Sequence, residues 1–100
     1  MQARSDVAIV GCGPVGALLA NLLGQAGLTV DIYDREHEVH ALPRAVHFDG
    51  EAMRIFQAAG LADRIAQACR PSPYGARFED PSGRTLLVRQ GTDGPGPQGW

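Results

Sequence analysis

Three features of this sequence predict an α/β fold. The β-prone runs at residues 6–10 (DVAIV) and 29–33 (TVDIY) flank a helical pattern at residues 17–26, and a strong turn signal sits at Asp80-Pro81-Ser82-Gly83. Two strands joined through a helix read as a parallel unit, because parallel strands need a crossover of about a dozen residues or more. The later turn, flanked by YGARFE and RTLLVR, reads as a β-hairpin and so adds a second, antiparallel sheet.

The first strand is short, apolar and partly β-branched, the pattern of a strand buried on both faces of a parallel sheet. It runs directly into Gly11-Cys12-Gly13-Pro14-Val15-Gly16, which spells G-x-G-x-x-G. The helix that follows is rich in good helix formers, and Gly27 stands where a C-cap is needed. The second strand ends at Asp34.

Strand, glycine turn, helix and a terminal acid together form a dinucleotide fingerprint. Each residue type has a chemical reason. Gly11 permits the tight turn, Gly13 has no side chain to keep a pyrophosphate off the backbone, and Gly16 lets the helix lie close to the strand. Amide N–H groups at the helix start, with the positive end of its dipole, suit a diphosphate. Pro14 opens the helix where a missing N–H costs little, and Val15 follows it. Asp34 can accept hydrogen bonds from ribose hydroxyls. Arg35 can reach the adenine or a phosphate, and equally well stands as a surface arginine.

Residues 35–43 (REHEVHALP) lose all periodicity and read as a loop. His37 and His40 have a spacing that could share a metal on a helix, but no third ligand lies nearby and Pro43 argues against a helix there, so no metal site is expected. Asp49 is the expected N-cap of a helix whose apolar side carries Met53, Ile55, Phe56 and Ala59, and Gly60 ends it. Leu61, Ile65 and Cys69, four apart, mark a second short helix. His47 is read as a packing residue. The tail, residues 91–100, holds four glycines and two prolines, with nothing in it that closes a fold.

Composition narrows the function classes. A net charge of −2, with arginines scattered from Arg4 to Arg89, gives no basic patch for nucleic acid or for a membrane surface. No apolar run approaches the roughly 20 residues of a membrane span. The opening MQARSD lacks a signal-peptide pattern, so a cytoplasmic location is expected. Cys12 and Cys69 are the only cysteines and are read as structural, with Cys69 in the core.

The spacing from Gly16 through Ala20, Leu23, Gly27, Val30 and Asp34 resembles the N-terminal FAD-binding fingerprint of flavoproteins, with aspartate in place of the usual glutamate. The stretch PRAVHFDGEAMRIFQAAGL, beginning at Pro43, is similar to the class A flavoprotein monooxygenases, the single-component aromatic hydroxylases, and most similar to their 3-(3-hydroxyphenyl)propionate hydroxylase branch. The resemblance implies a Rossmann-like start. Residues 1–100 would be the N-terminal part of an FAD-binding domain, with a dinucleotide unit at 5–34, a helical segment at 44–69 and a hairpin at 74–89.

By the same resemblance, Gly11, Gly13 and Gly16 would hold the FAD pyrophosphate and Asp34 the ribose, with Pro14 and Val15 counted among the cofactor-binding residues of the turn. Arg35 would lie nearby, and Arg44 would face the phosphate–flavin side. Family members use NAD(P)H as reductant and O2 as oxidant to hydroxylate a phenolic substrate. Their second FAD motif and most of the substrate pocket would lie beyond Trp100, so no catalytic residue is assigned, and the oligomeric state stays open. Two other readings fit the fingerprint: the NAD-binding domain of a dehydrogenase, and a nucleotide-binding module without turnover. A hairpin after only two parallel strands counts against the former.

Overall fold

The computed structural model describes residues 4–100. Residues 1–3, the start of the stretch that lacks a signal-peptide pattern, lie outside the described residues. Strand β1 (Val7–Val10), helix α1 (Pro14–Gln25) and strand β2 (Val30–Tyr33) form the expected unit. The strands pair in parallel, from Val7 opposite Val30 to Val10 opposite Tyr33. One carboxylate fixes where they begin. Asp6 Oδ2 accepts hydrogen bonds from the Thr29 backbone N–H and hydroxyl, both at 2.8 Å, while the Asp6 N–H donates to Thr29 Oγ1 at 3.0 Å. Those bonds from Thr29 hold the Asp6 pKa below its ordinary value.

Helix α1 stops because Gly27 takes φ 87°, a left-handed conformation that costs glycine little. The Leu28 N–H then donates to the Leu23 carbonyl at 3.1 Å and the Gly27 N–H to Gly24 at 3.0 Å, the two bonds of a Schellman ending. Helix α2 (Gly50–Ala58) is capped by Asp49, whose Oδ1 accepts from the Ala52 N–H at 3.0 Å. It ends the same way at Gly60, and α3 (Ala62–Ala68) follows. Phe48 meets Phe56 edge to face at 5.5 Å. Gln25 Nε2 donates to the Ala59 carbonyl at 2.6 Å, tying the end of α1 to the end of α2.

Strands β3 (Ala76–Glu79) and β4 (Thr85–Arg89) make the expected antiparallel hairpin, with an irregularity between Phe78 and Glu79. Asp80 builds its turn. Its Oδ1 accepts from the Ser82 N–H and hydroxyl and from the Arg84 N–H, and its Oδ2 pairs with Arg84 Nε at 3.2 Å. Among the described residues the hairpin strands pair only with each other.

Burial departs from the sequence expectation in several places. Among the described residues the buried apolar ones are Ile9, Met53, Ala59 and Ala62. Strand β1, expected to be covered on both faces, buries only Ile9 and leaves Val10 91% exposed, because among the described residues β2 is its one paired neighbour and α1 covers one face only. Cys69, expected in the core, is exposed: it is the C-cap of α3, in extended conformation, and so leaves the helix face that its spacing suggests. Ile55 and His47 are exposed too. The tail does more than expected. Trp100 Nε1 donates to Gln57 Oε1 at 3.2 Å, so residues 96–100 fold back onto α2.

Shape follows from this sparse burial. The radius of gyration is 17.9 Å, against about 13 Å for a compact chain of this length. The accessible surface is 8968 Å², against about 5,500 Å² expected for a folded domain of this mass.

Candidate functional site

The β1–β2 pairing leads straight into the glycine turn. The Gly11 N–H donates to the Tyr33 carbonyl at 2.6 Å, carrying the ladder one residue past β1. Gly11 then turns with φ 104°, which a residue with a Cβ adopts only under strain. The next residue leaves the ladder, and its N–H turns toward the end of β2. There the Cys12 N–H donates to Asp34 Oδ2 at 2.6 Å.

The other two glycines differ in kind. Gly13 is the N-cap of α1, at φ −76° and ψ −173°, an extended conformation open to any residue. A Cβ on Gly13 would meet nothing within 4 Å, so the missing side chain leaves open space in front of the helix. A Cβ on Gly16 would run into the Gly11 carbonyl oxygen and come within 3.4 Å of Ile9 Cγ2. Gly16 is therefore required for α1 to lie against the end of β1.

Helix geometry leaves the first-turn N–H groups without intrahelical acceptors. The Ala17 N–H is the first to close back, on the Gly13 carbonyl at 2.9 Å. Pro14 brings no N–H, so Val15 and Gly16 present theirs at the opening, and no acidic side chain stands in that turn. Such an end attracts an anion.

Asp34 sits across from it with both oxygens engaged. Oδ1 accepts from the Glu36 N–H at 2.8 Å, and Oδ2 takes the Cys12 N–H. These two bonds, Glu36 first and then Cys12, hold its pKa below the ordinary value, with Arg35 adding a smaller pull against a small burial cost. Each carboxylate oxygen keeps a second lone pair for a ligand hydroxyl.

The turn thus brings Gly11, Gly13, Pro14, Val15, Gly16 and Asp34 together. The two arginines stand apart from these bonds. Arg35 is 93% exposed at its side chain and pairs with Glu36 at 3.6 Å. Arg44 is exposed in the irregular stretch before α2 and, among the described residues, enters none of the hydrogen bonds or ion pairs that shape the turn. The sequence reading did not include the Cys12 N–H. The signal for it was available: parallel strands ending together at Val10 and Tyr33 set the next residues of each chain, Gly11-Cys12 and Asp34, side by side.

Elsewhere, a shallow open hollow between α2 and the tail, lined by Glu51, Arg54, Ile55, Pro97 and Gln98, shares no residue with the turn. Among the described residues no group of three His, Cys, Asp or Glu side chains could hold a metal. No described helix is long and apolar enough to cross a membrane.

Comparison with known proteins agrees with this geometry. The family model described as "FAD binding domain" matches residues 4–95. A 3-(3-hydroxy-phenyl)propionate/3-hydroxycinnamic acid hydroxylase of Burkholderia cenocepacia is 50% identical over 64 residues, 64% of this chain and 12% of that protein. The enzyme of the same name from Mycolicibacterium gilvum is 47% identical over 87 residues, 87% of this chain and 15% of that protein. The chain therefore spans only 12% and 15% of the length of these relatives. Among solved structures, the substrate-free rebeccamycin biosynthetic enzyme RebC superposes with a TM-score of 0.63 at 26% identity. That match covers 88% of this chain and 18% of RebC.

Proposed function

We propose, from the premise that this chain belongs to the FAD-binding domain family, that its glycine turn and Asp34 hold the ADP half of FAD in an aromatic hydroxylase. The observation that carries this reading is the parallel register of β1 and β2. It sets the Asp34 carboxylate beside a turn whose Gly13 leaves clear space before the α1 N–H groups. The chemistry of the donor set fits the cofactor: N–H groups for phosphate oxygens, and a carboxylate for ribose hydroxyls. Gly11, Gly13, Pro14, Val15 and Gly16 form the phosphate side, Asp34 the ribose side, and Arg35 and Arg44 supply positive charge from the loops that follow β2. A guanidinium suits that task because its planar fork meets phosphate oxygens while staying charged.

FAD would supply the redox chemistry, accepting electrons from NAD(P)H and passing them to O2 so that one oxygen atom enters a phenol. The hydroxylase names of the relatives support a 3-hydroxyphenylpropionate or hydroxycinnamate as substrate. A hairpin in place of a third parallel strand counts against a simple NAD domain.

The test uses the full-length protein. Purified material should carry flavin absorbance, and 3-(3-hydroxyphenyl)propionate should stimulate NADH or NADPH oxidation coupled to O2 uptake. Protein that neither retains nor takes up FAD sinks the cofactor assignment. Flavin-loaded protein that no phenolic acid stimulates sinks the hydroxylase assignment.

A further inference from the structure

We infer that Asp34 is also a positioning residue for the glycine turn, its carboxylate fastening the Cys12 N–H to the end of β2 before any phosphate arrives. This goes beyond the ribose contact and rests on the FAD reading of the site.

Cys12 lies between two glycines, in the stretch where the chain has most freedom to lose. It also lies between two hydrogen-bonding systems. The strand ladder ends with Gly11 N–H on Tyr33, and the helix begins with Ala17 N–H on Gly13. The Cys12 N–H belongs to neither, and Asp34 Oδ2 receives it at 2.6 Å. The carboxylate is itself held, since Oδ1 accepts from the Glu36 N–H at 2.8 Å. One side chain thus bridges the turn and the loop after β2.

Two consequences follow for the ligand. The Cys12 amide is already committed and Pro14 has none, so a diphosphate would meet the N–H groups of Gly13, Val15 and Gly16. Holding the turn in advance lowers the ordering cost of binding. That benefit extends to a ligand with no ribose at all, which separates the tether from direct ribose recognition.

The experiment compares Asp34→Asn with Asp34→Ala in the full-length, flavin-stripped protein. Both variants lose the same charge, so electrostatic effects on an anion cancel between them. Only Asn keeps an oxygen that can accept from Cys12. The readouts are hydrogen exchange at the Cys12 amide and titration with inorganic pyrophosphate. We expect the Ala variant to exchange at Cys12 about two- to tenfold faster than the Asn variant and to bind pyrophosphate about two- to tenfold more weakly. Equal pyrophosphate affinity in the two variants overturns the proposal, as does unchanged Cys12 exchange in the Ala variant. FAD titration of the unmodified protein tests the functional reading separately. Should that protein bind pyrophosphate but not FAD, the functional reading falls while the Asn–Ala difference still decides the tether.

Discussion

Gly13 and Gly16 would each be harmed by a side chain, for opposite reasons. At Gly13 a Cβ meets nothing, so Gly13→Val should leave the melting temperature of the full-length protein nearly unchanged while flavin content in its visible spectrum falls. At Gly16 a Cβ meets the Gly11 carbonyl, so Gly16→Val should destabilise by about 1–3 kcal/mol in denaturant melts, as overpacking does. Normal flavin retention in a folded Gly13→Val protein would remove the phosphate role. For Asp34→Ala, FAD affinity should fall roughly ten- to hundredfold, the loss expected for hydrogen bonds to a charged group. An unchanged dissociation constant would remove Asp34 from the cofactor site. The glycine pattern was legible in the sequence because each position answers to one steric rule. The exposure of Cys69 was not, because a four-residue spacing assumes that the helix continues and α3 ends one residue short.

At the scale of elements, the ends were the most readable parts. Gly27 and Gly60 stop their helices in left-handed conformation, and Asp49 caps α2, because the chemistry of a helix end lies within a few residues of the end itself. Asp49→Ala should cost about 1 kcal/mol in a urea melt, through the lost cap on Ala52. The pH response belongs here too, since carboxylates set both the strand starts and the hairpin turn. Asp6, Asp34 and Asp80 all have pKa values held below the ordinary one, so the unfolded chain takes up protons first as pH falls. Their stabilisation is present above the ordinary carboxylate pKa and is lost as pH drops through the lowered folded values. Thermal melts between about pH 5 and pH 2 should show stability falling with pH, and Asp6→Asn should flatten part of that slope. A slope unchanged by Asp6→Asn would mean that its bonds with Thr29 contribute nothing to the pH dependence.

For the whole molecule, local pattern said least. The sequence could mark β1 as apolar but could not say what covers it. It also read the tail as idle, although Trp100 reaches Gln57 across a long sequence separation. Two-stranded sheets are marginal in water, and the surface of this chain is far larger than its mass requires. Residues 1–100 produced alone should therefore melt broadly and bind a hydrophobic dye, whereas full-length protein melts sharply. A sharp cooperative transition with stoichiometric flavin in the 100-residue chain would show that it needs no further cover. The tie between Asp34 and Cys12 has a consequence in time. Every bond that shapes the turn is made between Asp6 and Glu36, so the ribosome has already supplied all of it before α2 is translated. At about 5–20 residues per second, this unit leaves the ribosome about one to four seconds ahead of the end of α2. The order of synthesis thus lets the glycine turn emerge first and later segments dock against it.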